Sequence, residues 1–168
     1  VKSIPIIPGE CYEKGIAVSL VSVKRNSRDS LNPAVKTGNY LNNILAKVEA
    51  QKIGADDAIM VNTWGQLTEA TTSNIFFVKN GCLHTPETGC GILSGITREK
   101  IIQLAHENGI TLEEGKWLGD ELVNADEIFL SGTVKKIIPV SILDNHPVGN
   151  GKPGLITKKI MRLYLALL

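Results

Sequence analysis

The stretch 74–85 constrains this chain most: Asn-Ile-Phe-Phe-Val, then Asn80-Gly81, then Cys-Leu-His-Thr at 82–85. Asn-Gly between two such runs marks a tight hairpin, because both central residues of that turn need positive φ. One antiparallel pair is therefore expected. Strand-like and helix-like segments alternate through the rest of the chain. Hairpins mixed with interspersed helices predict an α/β fold on a mixed sheet, not a purely parallel one.

The other elements follow from periodicity. Residues 15–23 (GIAVSLVSV) read as a strand, followed by a polar loop at 24–33. A helix is expected over about 39–53, with Leu41, Ile44, Leu45 and Val48 as its buried stripe and Gly54 as its stop. Short strands are expected at 58–61, 66–68, 110–112, 127–130 and 137–143. A second helix runs from Gly95 to about Asn108, with Ile101, Ile102, Leu104 and Ala105 inside. A short helix is expected at 118–124, and a last one at 153–168 carrying Ile156, Ile160, Leu163 and Leu167. There is no internal repeat.

Composition excludes several classes. The chain has 168 residues, about one domain, and 43% of them are hydrophobic, enough for a sizeable core. A net charge of +1 gives no global pull toward nucleic acid or an anionic membrane. The Trp and Tyr residues form no stacking pattern for bases. No apolar run reaches transmembrane length. Cys11, Cys82 and Cys90 have no CxxC spacing, which suggests neither a disulfide framework nor a zinc site, but reduced thiols in a cytoplasm. His84, His106 and His146 have no metal spacing to Asp or Glu. The chain opens at Val1 without an initiator Met, and Ile4-Pro5-Ile6-Ile7-Pro8-Gly9 reads as an extended connector cut from something longer.

Four short stretches could carry chemistry. Lys36 sits ahead of the 39–53 helix, whose positive end disfavours a protonated amine, and a neutral amine is what Schiff-base formation needs. A lysine near a helix start is more often simply solvated. Glu69 follows the 66–68 strand and precedes the small residues 70–73, so it could approach a planar ligand; a surface acid is the plainer alternative. Gly95-Ile96-Thr97 opens a helix and can bind an anion through free N–H groups and the Thr hydroxyl, or serve only as a cap. Ser131-Gly132-Thr133 offers further donors, or only a turn.

These stretches occur in an order that resembles the class IV aminotransferases: branched-chain aminotransferase, D-amino acid aminotransferase and aminodeoxychorismate lyase. The motifs are Val35-Lys36-Thr37-Gly38-Asn39-Tyr40-Leu41, Leu67-Thr68-Glu69-Ala70 with Ser73-Asn74-Ile75-Phe76, Leu93-Ser94-Gly95-Ile96-Thr97-Arg98, and Ala125-Asp126-Glu127-Ile128-Phe129 with Ser131-Gly132-Thr133 and Ile138-Pro139-Val140. The resemblance covers the chain from about Gly15 onward. It implies the large domain of the D-amino acid aminotransferase-like fold, a mixed sheet forming a pseudo-barrel flanked by helices. It implies pyridoxal 5'-phosphate as cofactor, with Lys36 forming the internal aldimine and shuttling the proton. Tyr40 would bond the phenolic oxygen, Glu69 the pyridine nitrogen, and Leu93 a ring face. Ile96, Thr97 and Thr133 would hold the phosphate, and Val134 a substrate carboxylate.

On this resemblance, residues 1–13 are the remnant of an interdomain linker, 14–168 are the C-terminal cofactor-binding domain, and the preceding small domain is missing from the chain. The expected activity is transamination between an aliphatic amino acid, branched-chain first, and a 2-oxo acid, in a homodimer. Aminodeoxychorismate lyase, D-amino acid transamination and a catalytically incomplete fragment remain alternatives. Two departures blur the branch: Ala70 stands where branched-chain enzymes often have Gly, and Lys136 lies where many members have an acid nearby.

Overall fold

The computed structural model of the chain describes residues 7–29 and 31–168. Its strands are β1 (Ile16–Leu20), β2 (Asp57–Val61), β3 (Leu67–Ala70), β4 (Asn74–Lys79), β5 (Cys82–Pro86), β6 (Leu112–Gly115), β7 (Glu127–Gly132), β8 (Lys136–Leu143) and β9 (His146–Pro147). Its helices are α1 (Glu10–Lys14), α2 (Leu41–Lys52), α3 (Ile96–Glu107) and α4 (Leu155–Leu165), with 3-10 turns at Thr88–Cys90 and Gly119–Asn124.

The strands close into a ring in the order β1-β2-β3-β4-β7-β8, and β8 returns to β1. The β1–β2 and β1–β8 pairings are parallel, and the other ring pairings are antiparallel. β5 and β6 extend outward from β4, and β9 lies on β8. The mixed, barrel-like sheet expected from the sequence is thus observed. Its hairpin is the expected one: Asn80 and Gly81 have φ of 52° and 77°.

Alternation along the strands sorts the side chains between inside and outside. Ile75 and Phe77 of β4, Ile128 and Leu130 of β7, Ile138 and Val140 of β8, and Ile59 and Val61 of β2 fill the barrel. Phe76, Val78, Phe129 and Ile137 point out and pack beneath α3 and α4, with Ile101, Ala105 and Ile160. Phe76 and Phe129 stack there at 4.9 Å. The inner face of α3 is as expected, Ile102 being the partly buried member.

Several elements differ from expectation, each for a physical reason. The stripe Leu41, Ile44, Leu45 and Val48 of α2 is exposed, at 64, 55, 51 and 43%. Its buried face is Asn43, Ala46 and Ala50. Those small residues let α2 approach Val21, Ala58 and Met60 closely. Periodicity reveals a stripe but not what covers it. Glu69 lies inside β3, not after it.

The strand expected at 110–112 begins at Leu112 instead, because Ile110 is folded back under α3 by its N–H to the Ala105 carbonyl, 2.9 Å. β1 is shorter than 15–23, and α4 ends at Leu165, leaving Leu167 exposed. In the expected connector, residues 1–6 lie outside the described residues. Glu10–Lys14 is helical, and Tyr12 Oη donates to the Lys135 carbonyl at 3.2 Å.

α4 has no cap of its own and receives one from β7. Glu127 Oε1 and Oε2 accept the N–H groups of Ile156 (3.1 Å) and Thr157 (2.7 Å). A carboxylate there satisfies two orphan donors and faces the positive helix end. Glu127→Ala should cost about 1–2 kcal/mol of folding stability. Urea unfolding checks this, with Glu127→Gln expected to lose less than the Ala variant.

Candidate active site

At one end of the barrel, the loop before α2, the β3–β4 turn, the start of α3 and the β7–β8 turn surround a cleft of about 730 Å³. All eight residues singled out from the sequence line it: Lys36, Tyr40, Glu69, Leu93, Ile96, Thr97, Thr133 and Val134. Its architecture rests on local contacts that can be followed residue by residue.

Glu69 is buried in β3 opposite Asn74. Its Oε2 accepts the Leu93 N–H at 3.0 Å, and its Oε1 pairs with Arg25 at 2.6 Å. Burial raises the Glu69 pKa, and the attraction of Arg25 offsets only part of that. Arg25 is itself nearly buried and is held by the first turn of α2, donating to Asn42 Oδ1 (3.2 Å) and Asn43 Oδ1 (3.0 Å). Asn43 in turn donates to the Thr71 carbonyl at 2.5 Å. Sequence reasoning missed Arg25, which sits in a polar loop with two other basic residues and is distinguished only by its tertiary partner.

Asn74 also positions the end of the cleft where α3 begins. Its Nδ2 donates to the Leu93 carbonyl at 2.8 Å. A Cβ on Gly95 would lie 2.2 Å from Asn74 Oδ1, so this close approach requires glycine. α3 begins immediately afterwards, its first N–H groups lacking intrahelical acceptors. Thr97 is buried, whereas the Ile96 side chain is exposed. Thr133 and Val134 occupy the β7–β8 turn and also line the cleft.

A second ion pair braces this turn. Lys135 is bonded to Asp57, which also accepts from Thr71 Oγ1 (2.5 Å) and the Ala58 N–H (2.9 Å). Burial pushes the Asp57 pKa up, but the Lys135 charge and these hydrogen bonds outweigh it and hold the pKa below its usual value. Of the two lysines lining the cleft, Lys135 is thus engaged. Lys36 is exposed to the cleft and has no ion-pair or hydrogen-bond partner among the described residues. Lys36 precedes α2, which starts at Leu41, and a helix field fades within the first turn.

Three buried polar atoms on the cleft wall have no hydrogen-bond partner among the described residues: Arg25 Nε, Ser73 Oγ and Ser131 Oγ. Orphaned buried donors are rare in folded proteins and commonly await a ligand or water. Among the described residues, no helix is long and apolar enough to cross a membrane.

Comparison with known proteins agrees with this geometry. The sequence model of the "Amino-transferase class IV" family matches residues 1–143. A protein of Methanocaldococcus jannaschii, provisionally named a branched-chain-amino-acid aminotransferase, is 46% identical over 152 residues, covering 90% of this chain and 53% of its own. The crystal structure of Escherichia coli branched-chain amino acid aminotransferase superposes with a TM-score of 0.92 at 37% identity, covering 95% of this chain and 53% of that one. That of the Thermobaculum terrenum enzyme in its PLP form gives 0.91 at 36% identity, covering 97% and 54%. The chain thus spans about half the length of the relatives it matches. Family sequence, barrel and cleft agree: this chain belongs to the class IV aminotransferases.

Proposed function

We propose that this chain is the cofactor-bearing domain of a pyridoxal-phosphate-dependent aminotransferase, which moves the amino group of a branched-chain amino acid to a 2-oxo acid as a homodimer. The observation that carries this reading is Lys36, the cleft lysine whose amine is left unpaired while Lys135 is tied to Asp57. The residues present fit the cofactor. A buried carboxylate, an open helix start and unpartnered hydroxyls suit a ring nitrogen and a phosphate.

When bound, pyridoxal phosphate supplies a conjugated ring that accepts the electrons released as the substrate Cα–H bond breaks. Lys36 Nζ would hold the cofactor covalently, and its amine would carry the proton to and from the substrate Cα. Glu69 keeps a proton on the ring nitrogen, and that cationic partner relieves the cost of its own burial. Ile96 and Thr97 would offer N–H and hydroxyl donors to the phosphate, and the Thr133 hydroxyl a further one. The Tyr40 hydroxyl donates to the phenolic oxygen, and Leu93 packs on a ring face. The Val134 N–H would donate to the substrate carboxylate. The second copy of the chain covers the exposed α2 stripe, which begins beside the cleft at Tyr40 and Leu41.

Borohydride reduction in the presence of pyridoxal phosphate should leave a phosphopyridoxyl label on the peptide containing Lys36. The Lys36→Ala variant should lose that label and slow the half-reaction with L-leucine by about 10²–10⁴-fold. Label on the Lys135 peptide, or none, would overturn the assignment. Faster reaction with D-alanine than with L-leucine would move the enzyme to the D-amino acid branch. Pyruvate release from aminodeoxychorismate without an oxo acid would make it a lyase.

Sedimentation velocity addresses the dimer. The unmodified chain should sediment as a dimer at micromolar concentration, and a combined Ile44→Glu and Leu45→Glu variant should be monomeric with an unchanged circular dichroism spectrum. A monomeric parent would refute the homodimer.

A further inference from the structure

Outside the cleft, the outer edge of the sheet gathers three side chains of metal-ligating type. Cys82 and His84 are two apart on β5 and share one face of the strand. β6 pairs with β5 in parallel, with Glu113 registered opposite His84. One ligand atom from each of Cys82, His84 and Glu113 lies within 4.8 Å of the others. None of the three lines the cleft.

The histidine is the telling member. Its side chain is nine-tenths buried, and its Nδ1 has no hydrogen-bond partner among the described residues. Glu113 Oε2 stands 3.6 Å from it, within ion-pair reach but too far for a hydrogen bond. The ring is also locked in orientation. It stacks on Phe77 at 5.0 Å and meets Trp117 edge-on at 4.5 Å, while Trp117 Nε1 donates to the Thr85 carbonyl at 3.3 Å. A buried, unpartnered imidazole nitrogen held rigidly toward a thiol and a carboxylate is a preorganised ligand set.

We propose that Cys82, His84 and Glu113 bind a borderline divalent cation of the Zn²⁺ class. Thiolate, imidazole and carboxylate together suit Zn²⁺ or Co²⁺, whereas Ca²⁺ and Mg²⁺ require oxygen ligands throughout. Tetrahedral coordination at about 2.0–2.3 Å sets ligand atoms about 3.3–3.8 Å apart, so a group spread within 4.8 Å must close by up to about 1.5 Å. Glu113, whose side chain is 59% exposed, is the arm free to close. Cys82 enters as the thiolate and releases one proton to solvent, and water fills the fourth position.

The consequence is mechanical. β6 (LEEG) is an edge strand with little apolar content. On one face, Glu114 is tied to Arg98 of α3. On the other, the cation would tie Glu113 to β5, clamping β6 from both sides. Spacing along the sequence hides the site, because Cys-x-His fits only a strand and the third ligand comes from a distant one.

Titration of the tag-free, metal-stripped chain with Co²⁺ tests this, and it does not depend on the reading of the cleft. The expected result is one Co²⁺ per chain, with visible bands of tetrahedral intensity and a near-ultraviolet thiolate charge-transfer band, all abolished by one equivalent of Zn²⁺. Zn²⁺ should also raise the melting temperature. Cys82→Ser should remove the charge-transfer band, and Glu113→Gln should weaken binding at least about tenfold. Both side chains are at least partly exposed, so these variants should fold. Absence of binding would overturn the proposal. So would a charge-transfer band that survives in Cys82→Ser and vanishes in Cys11→Ser or Cys90→Ser.

Discussion

The barrel closes where Glu69 of β3 pairs with Asn74 of β4, and the whole cleft is hung on that corner. Closing the ring leaves β3 and β4 without a free edge on that side. It also places a carboxylate and an amide on adjacent strands facing one end of the barrel. Glu69 then receives the Leu93 N–H, and Asn74 receives Gly95 and donates to the Leu93 carbonyl. The start of α3 is thereby drawn to the barrel mouth. Loss of this corner would open the sheet and separate the carboxylate from the helix end in one step.

Two buried ion pairs flank the cleft, and burial acts on them differently. Asp57 has a lowered pKa, so its stabilisation is present above its unfolded value and is lost as pH falls through the folded one. It braces the β7–β8 turn against β2. Glu69 has a raised pKa, so its favourable contribution belongs to low pH and is lost as pH rises through the folded value. At neutral pH its charge is a cost that Arg25 reduces but does not cancel. A brace and a poised group are thus separated by the sign of the shift. The poised carboxylate is the one placed to gain from a cationic ligand.

Much of the fold is legible in the sequence where a local rule has no competitor. The β4–β5 hairpin follows from Asn80-Gly81, since few other residues accept positive φ at both turn positions. The inner face of α3 follows from its apolar spacing, because that face meets the barrel of the same chain. α2 obeys the same periodicity and points the other way, since Ala46 and Ala50 permit a closer approach to β2 than the leucines would. β6 carries no alternating pattern at all and exists because β5 and Arg98 hold it.

The order and identity of the motifs around Lys36, Glu69, Thr97 and Thr133 are properties of the sequence alone. So is the fold class, because backbone propensity and strand alternation act over a few neighbouring residues. Tertiary structure decided which of these residues face one another and which groups are spare. Arg25 became the partner of Glu69 and Lys135 the partner of Asp57, while Lys36 was left without one among the described residues. It likewise assembled Cys82, His84 and Glu113 on one face of two strands. The physical reason is that a charge or a ligand atom is defined by what lies within a few ångströms, and those neighbours come from segments far apart in the chain.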